Sequence, residues 1–156
     1  ARGKDALIFG AGGAARAVGY ALGRAGARRV RFVGRTPRRT QQAARVLAAL
    51  FPRTRFEAGA AAPAALWVNA TPLGMKGFLR RSPAPSDMAC ELAFDLVYGR
   101  RTPFLLRAKA CGARACEGLS MLVYQALRAW EFWTSPLSAG RRKSLHDQII
   151  GELKWH

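Results

Sequence analysis

The sequence predicts an α/β protein: a doubly wound parallel sheet of about six strands, with helices on both faces and further helices at the C-terminal end. Three observations carry that prediction. Short apolar runs alternate with longer helical patterns along the first 117 residues. The first apolar run breaks into glycines and resumes as an alanine-rich helix. Proline and glycine then punctuate the places where helices start and stop. Short strands each followed by a helix give a parallel sheet with right-handed crossovers.

Taken in order, the first strand is read over 7–9 and the first helix over 13–26, where Gly26 supplies a stop. The second strand covers 30–33. Thr36 and Pro37 read as an N-cap with proline in the first turn, opening a helix that ends near Phe51 and Pro52. A short strand over 54–57 precedes an alanine-rich patch and a strongly apolar strand over 66–69. Beyond a loop holding Pro83 and Pro85 comes a strand over 92–95. Thr102 and Pro103 open a helix to Gly112, and 114–116 forms a last short strand. From 118 the pattern changes. The stretch 120–134 is helical but apolar on too many sides, with Met121, Leu122, Tyr124, Leu127, Trp130, Phe132 and Trp133. A second helix over 145–155 offers Ile149, Ile150, Leu153 and Trp155 for burial. A sheet that already has its helices leaves this apolar surplus for a partner surface outside the chain.

Composition bounds the function classes. A chain of 156 residues is one ordinary domain with a real core. No uninterrupted run has membrane length, and the start lacks an apolar signal segment, so a cytoplasmic protein with no membrane partner is expected. Cys90, Cys111 and Cys116 form an odd set without metal-ligand spacing, and read as reduced, partly buried thiols. No metal site is expected. His146 and His156 read as solvated surface. The net charge of +17 raises a binder of nucleic-acid phosphates as a rival. The arginines are scattered over every element and lack interleaved aromatics, so nucleic acid takes a minor share.

The glycine turn carries the chemistry. A strand that ends in Gly10, Ala11, Gly12, Gly13 and Ala14 and feeds a helix leaves unpaired N–H groups at the helix start. The positive end of the helix dipole lies there too, which suits a pyrophosphate. Gly10 permits the tight turn, Gly12 lets a phosphate approach the backbone, and Ala15 lets the helix sit close. Folds that bind NAD carry an acidic residue about 20 residues further on, to hold the ribose hydroxyl. Here no acidic residue occurs between Asp5 and Glu57, and the second strand ends at Arg35, Thr36, Arg38 and Arg39. A carboxylate repels a 2′-phosphate, whereas a guanidinium grips it with paired hydrogen bonds, so NADP is favoured over NAD. The competing reading of these arginines is a solvated helix start.

The landmarks match one family in order. The glycine turn, Arg35 and Thr36, VNATPLGM over 68–75, DLVY over 95–98 with Thr102 and Pro103, and GLSMLVYQ over 118–125 resemble the C-terminal, Rossmann-like part of shikimate dehydrogenase. The resemblance covers essentially the whole chain. It implies an NADP-binding domain over 1–117, and C-terminal helices over 118–156 that pack on an N-terminal substrate domain. It places Gly10 to Ala14 on the pyrophosphate, Arg35, Thr36 and Arg39 on the 2′-phosphate, and Asn69, Ala70 and Thr71 along the cofactor cleft. Leu96, Gly118 and Met121 would lie at the cofactor, and Tyr98 and Gln125 at shikimate. From the residues alone, Tyr98 reads as a strand-end aromatic packed against a helix and Gln125 as an ordinary polar helix position.

The chain departs from the family at Gly34, where Asn is usual before the Arg-Thr pair. The family's catalytic Lys and Asp belong to motifs reading NVTxPxK and NTD on the substrate domain. Neither motif occurs here, so no catalytic residue is assigned, and the chain by itself is expected to reduce nothing. The implied reaction is the reversible reduction of 3-dehydroshikimate to shikimate, in aromatic amino acid biosynthesis. Sibling readings are quinate or aminoshikimate dehydrogenase. Exposed docking helices would also allow a homodimer.

Overall fold

In the computed structural model, which describes residues 1–87 and 89–153, Asp5–Phe9 (β1) is the axis of a six-stranded sheet. On one side it pairs with Arg29–Val33 (β2), which pairs with Arg55–Ala58 (β3). On the other side follow Leu66–Asn69 (β4), Leu92–Asp95 (β5) and Arg114–Glu117 (β6). Every pairing is parallel, and the order β3-β2-β1-β4-β5-β6 reverses direction between β1 and β4. Open α/β sheets bind ligands at that reversal, outside the carboxyl ends of the strands.

Side-chain alternation along β1 divides the core in two. Ala6 and Ile8 face Gly13–Arg24 (α1) and Pro37–Leu50 (α2), in a cluster with Ala15, Leu22, Phe32, Ala43 and Leu47. Leu7 and Phe9 face the opposite side, where Phe104, Leu105 and Ala108 of Pro103–Ala110 (α3) close over Trp67 and Ala93. Phe9 meets Trp67 and Phe104 edge to face, with ring centroids 5.6 and 6.0 Å away.

Helix boundaries follow local signals closely. Gly26, at φ +73°, ends the turn after α1 as expected. Thr102 caps α3 by accepting from the Leu105 amide at 3.3 Å. Thr36 holds the N-cap position of α2, but its side chain caps nothing; Thr40 instead donates to the Pro37 carbonyl at 2.8 Å.

The expectation that each strand is followed by a helix needs correction. β3 joins β4 through 59–65, and β4 joins β5 through 70–91, with no helix in the described part of either connection. The long connection supplies Ala84 to the α3-side core in place of a helix. Beyond the sheet, Leu119–Trp133 (α4) and Ala139–Leu153 (α5) pack on each other. α5 begins well before the expected 145, because its first turns, Ala139 to Lys143, are helical without an apolar stripe to announce them.

His146 is also corrected: it is buried, not solvated, stacked on Tyr124 with centroids 4.2 Å apart and sharing a 2.7 Å hydrogen bond with Ser120 Oγ. Cys111 is exposed, whereas Cys90 and Cys116 are half-buried, and none is paired. Trp155 and His156 lie outside the described residues. Among the described residues no helix is long and apolar enough to cross a membrane, and no cluster of acidic, His or Cys side chains could hold a metal.

Candidate functional site

The cleft opens where the geometry of the sheet requires it. Gly10 leaves β1 at φ +114°, and its amide donates to the Val33 carbonyl at 2.8 Å. A Cβ on Gly10 would stand 2.7 Å from the carbonyl oxygen of Ala70, so backbone from the β4 loop fills the space a side chain needs. A Cβ on Gly12 or Gly13 would meet nothing within 4 Å beyond its own neighbours along the chain. Glycine at 12 leaves the helix start bare toward the cleft, and α1 begins without a side-chain cap or an acidic residue in its first turn. Such a helix start presents free N–H groups and a positive dipole end.

Between this turn, the β2–α2 loop and the β4 loop lies an open cleft of about 730 Å³. That is the size range of small-molecule and cofactor sites. Of the residues expected at a cofactor, Gly10, Ala11, Gly12, Arg35, Thr36, Arg39, Ala70 and Thr71 line it. Among the described residues no carboxylate lines it. Gly13, Ala14 and Arg38 are exposed but stand outside the lining.

Asn69 is wholly buried behind the cleft rather than on its wall. Its amide nitrogen donates to the Leu73 carbonyl at 3.0 Å and to Asp95 Oδ1 at 2.9 Å. Its amide oxygen accepts from the Thr71 N–H and hydroxyl at 3.0 and 2.7 Å. Asp95, also fully buried, accepts from the Val97 amide at 3.0 Å and from the Thr102 hydroxyl at 2.5 Å. Burial pushes the Asp95 carboxyl above its ordinary value, against the pull of donors from Thr102, Val97 and Asn69. These side chains tie the ends of β4 and β5 to the start of α3, and hold Ala70 and Thr71 against Gly10.

No family model matches the chain. The shikimate dehydrogenase (NADP(+)) of Archaeoglobus fulgidus is 39% identical to it over 140 residues, covering 85% of this chain and 51% of that protein. A crystal structure of shikimate 5-dehydrogenase from Thermus thermophilus, in complex with shikimate, is 38% identical, with a TM-score of 0.68 over 94% of this chain and 54% of that one. This chain is homologous to one half of the shikimate dehydrogenases. It spans about half the length of the relatives it matches. The 5-ketofructose reductase of a Gluconobacter species is similar more distantly, at 26% identity and a TM-score of 0.69, over 95% of this chain and 57% of that one.

The other residues that the likeness to shikimate dehydrogenase singles out stand apart from the cleft. Leu96 donates its amide to the Asn69 carbonyl at 3.0 Å, and a Cβ on Gly118 would lie 2.6 Å from the Leu96 carbonyl oxygen. The first contact ties the end of β5 to the end of β4, and the close approach of Gly118 seats the start of α4 against the end of β5. Met121 is half-buried on α4, Gln125 is exposed on the same helix, and Tyr98 is half-exposed just past β5.

Sequence reasoning passed over Phe78, Arg81, Ser82 and Pro83, which also line the cleft. One signal pointed to them. The loop after the strand beside the reversal point must border any ligand bound there.

Proposed function

We propose that this chain is the NADP-binding part of a shikimate dehydrogenase-like oxidoreductase. The observation that carries the reading is the composition of the cleft: a bare helix start at one end, Arg35, Thr36 and Arg39 at the other, and no acidic residue between. A dinucleotide with a phosphorylated ribose fits that set, since an uncapped helix start favours the pyrophosphate and the arginines favour the extra phosphate. When bound, the nicotinamide supplies or accepts the hydride. This chain's own residues bind and orient. Gly10 to Gly12 hold the pyrophosphate, Arg35, Thr36 and Arg39 the 2′-phosphate, and Ala70 and Thr71 the cleft floor. Leu96, Gly118 and Met121 border the nicotinamide end.

The reaction of the whole protein is the reversible reduction of 3-dehydroshikimate to shikimate. Tyr98 and Gln125 contribute to the substrate side, and a substrate domain packed on α4 and α5 brings the lysine and aspartate that move the proton. The sibling reading takes quinate or an aminoshikimate as substrate in the same kind of hydride transfer. Alone, the chain binds NADP weakly and reduces nothing.

Calorimetric titration of the chain with NADP and NAD tests the cofactor. The chain is expected to prefer NADP, and Arg35→Glu is expected to abolish that preference by replacing an ion pair with a repulsion. An unchanged ratio of the two affinities in Arg35→Glu would end the reading.

A further inference from the structure

The cleft has a cation that neither the glycine turn nor the β2 loop supplies. Arg81 lines it from the connection between β4 and β5, together with Phe78, Ser82 and Pro83. Arg81 is exposed and makes no ion pair among the described residues.

The position of this arginine is set by what holds the connection. Its start, Ala70 and Thr71, lies at the Gly10 turn. Its later part is folded back by short backbone bonds. Phe78 donates to Met75 at 2.8 Å, Gly74 to Phe78 at 3.0 Å, and Arg81 to Phe78 at 3.1 Å. Three residues beyond Arg81, Ala84 is buried in the cluster that contains Phe9, with Val33 packed against it. The Ala84 carbonyl also accepts from Arg107 Nη1 of α3 at 2.7 Å. Val33 is the last residue of β2, immediately before Gly34 and Arg35. The connection therefore leaves the glycine turn and is pinned down again against α3. Arg81 therefore lines the same cleft as Arg35, Thr36 and Arg39, from a different connection.

From this shared lining we infer that Arg81 is a third cation for the phosphate on the adenosine ribose, supplied by the β4–β5 connection to a cleft that Arg35 and Arg39 enter from the β2 loop. The inference rests on the NADP reading above. An arginine from the β4 connection adds a donor fork to those of the β2 loop. It also explains why the connection is anchored twice. An unpaired guanidinium on a free loop would lose much of its binding contribution to the entropy of ordering it.

The test uses the full chain, with Arg81→Gln and Arg81→Lys titrated by calorimetry against NADP, NAD and adenosine 2′,5′-bisphosphate. Arg81→Gln is expected to weaken NADP and the bisphosphate about tenfold and to leave NAD within about twofold. Arg81→Lys is expected to recover part of the loss, as a point charge without the fork. Equal weakening of NADP and NAD would move Arg81 to the pyrophosphate or the adenine and overturn the inference. Unchanged NADP affinity in Arg81→Gln overturns it as well, and if Arg35→Glu still abolishes the preference, the cofactor reading survives. A wild-type chain that does not distinguish NADP from NAD removes both.

Discussion

Asp95 ends β5 with no exposed surface and three hydrogen-bond donors aimed at its two oxygens. Removing the carboxylate orphans all three, at about 1–3 kcal/mol for each buried group. Asp95→Ala is expected to lower stability by roughly 3–5 kcal/mol, read by urea denaturation. Because burial raises its pKa, the folded chain holds that proton more tightly than the unfolded one. The stability this adds is complete at low pH and is lost as pH rises through the raised value. Asp95→Asn carries no such proton, so its stability should lack that decline over the same interval. At this scale the sequence was legible wherever a single residue meets a local steric demand. Gly10 shows it, since a positive φ and a carbonyl 2.7 Å away exclude a side chain. The role of Asp95 was not legible: Asn69 lies 26 residues upstream, and only the β4–β5 register brings the two side chains within 2.9 Å.

At the scale of elements, α4 and α5 are held by polar groups as much as by apolar ones. Glu131 accepts from Arg142 Nη2 at 2.6 Å and Nε at 3.0 Å, from Arg128 at 3.1 Å, and from the Leu137 amide at 2.9 Å. The hydrogen bond from Arg142 leads in holding the Glu131 carboxyl below its ordinary value. Stability from this pair is therefore present above the usual glutamate range and is lost as pH falls through the lowered value. In an acid titration, amide hydrogen exchange in α5 should accelerate in that interval, and Glu131→Gln should flatten the response. An exchange profile identical in the two proteins would count against the pairing. The apolar stripe from Met121 to Trp133 announced α4, but the burial of His146 had no local signature. Its partners Ser120 and Tyr124 sit on the other helix, and only the packing of α4 against α5 stacks the rings.

Over the whole molecule, 26 lysines and arginines face nine acidic residues, and the two signs are unevenly spread. Asp5, Glu57 and Glu91 pair with Arg28, Arg31, Arg55 and Lys4 around the sheet's lower end and its β2–β3 side. At the carboxyl ends of the strands Arg35, Arg38, Arg39, Arg81, Arg100 and Arg101 are exposed. Among the described residues those six make no ion pair. The resulting field favours any polyanion at that rim and speeds its arrival. NADP and a DNA duplex compared at two salt concentrations separate a specific site from a general one. Duplex affinity should collapse steeply with salt as counterion release loses its advantage, while the preference for NADP over NAD persists. A duplex that outcompetes NADP at both concentrations would return the charge to nucleic-acid binding.

The sequence by itself determined the parallel α/β class, the strand that breaks into the Gly10 turn, and the basic character of the β2 loop. Each depends on residues adjacent in the chain, through periodicity, turn sterics and charge. Tertiary structure decided what depends on distant segments meeting. It turned Asn69 inward to Asp95, left the described parts of two strand connections without helices, buried His146, and brought Arg81 to the cleft that Arg35 and Arg39 line. Those outcomes follow from sheet register and from packing on a shared core, which no window of neighbouring residues contains.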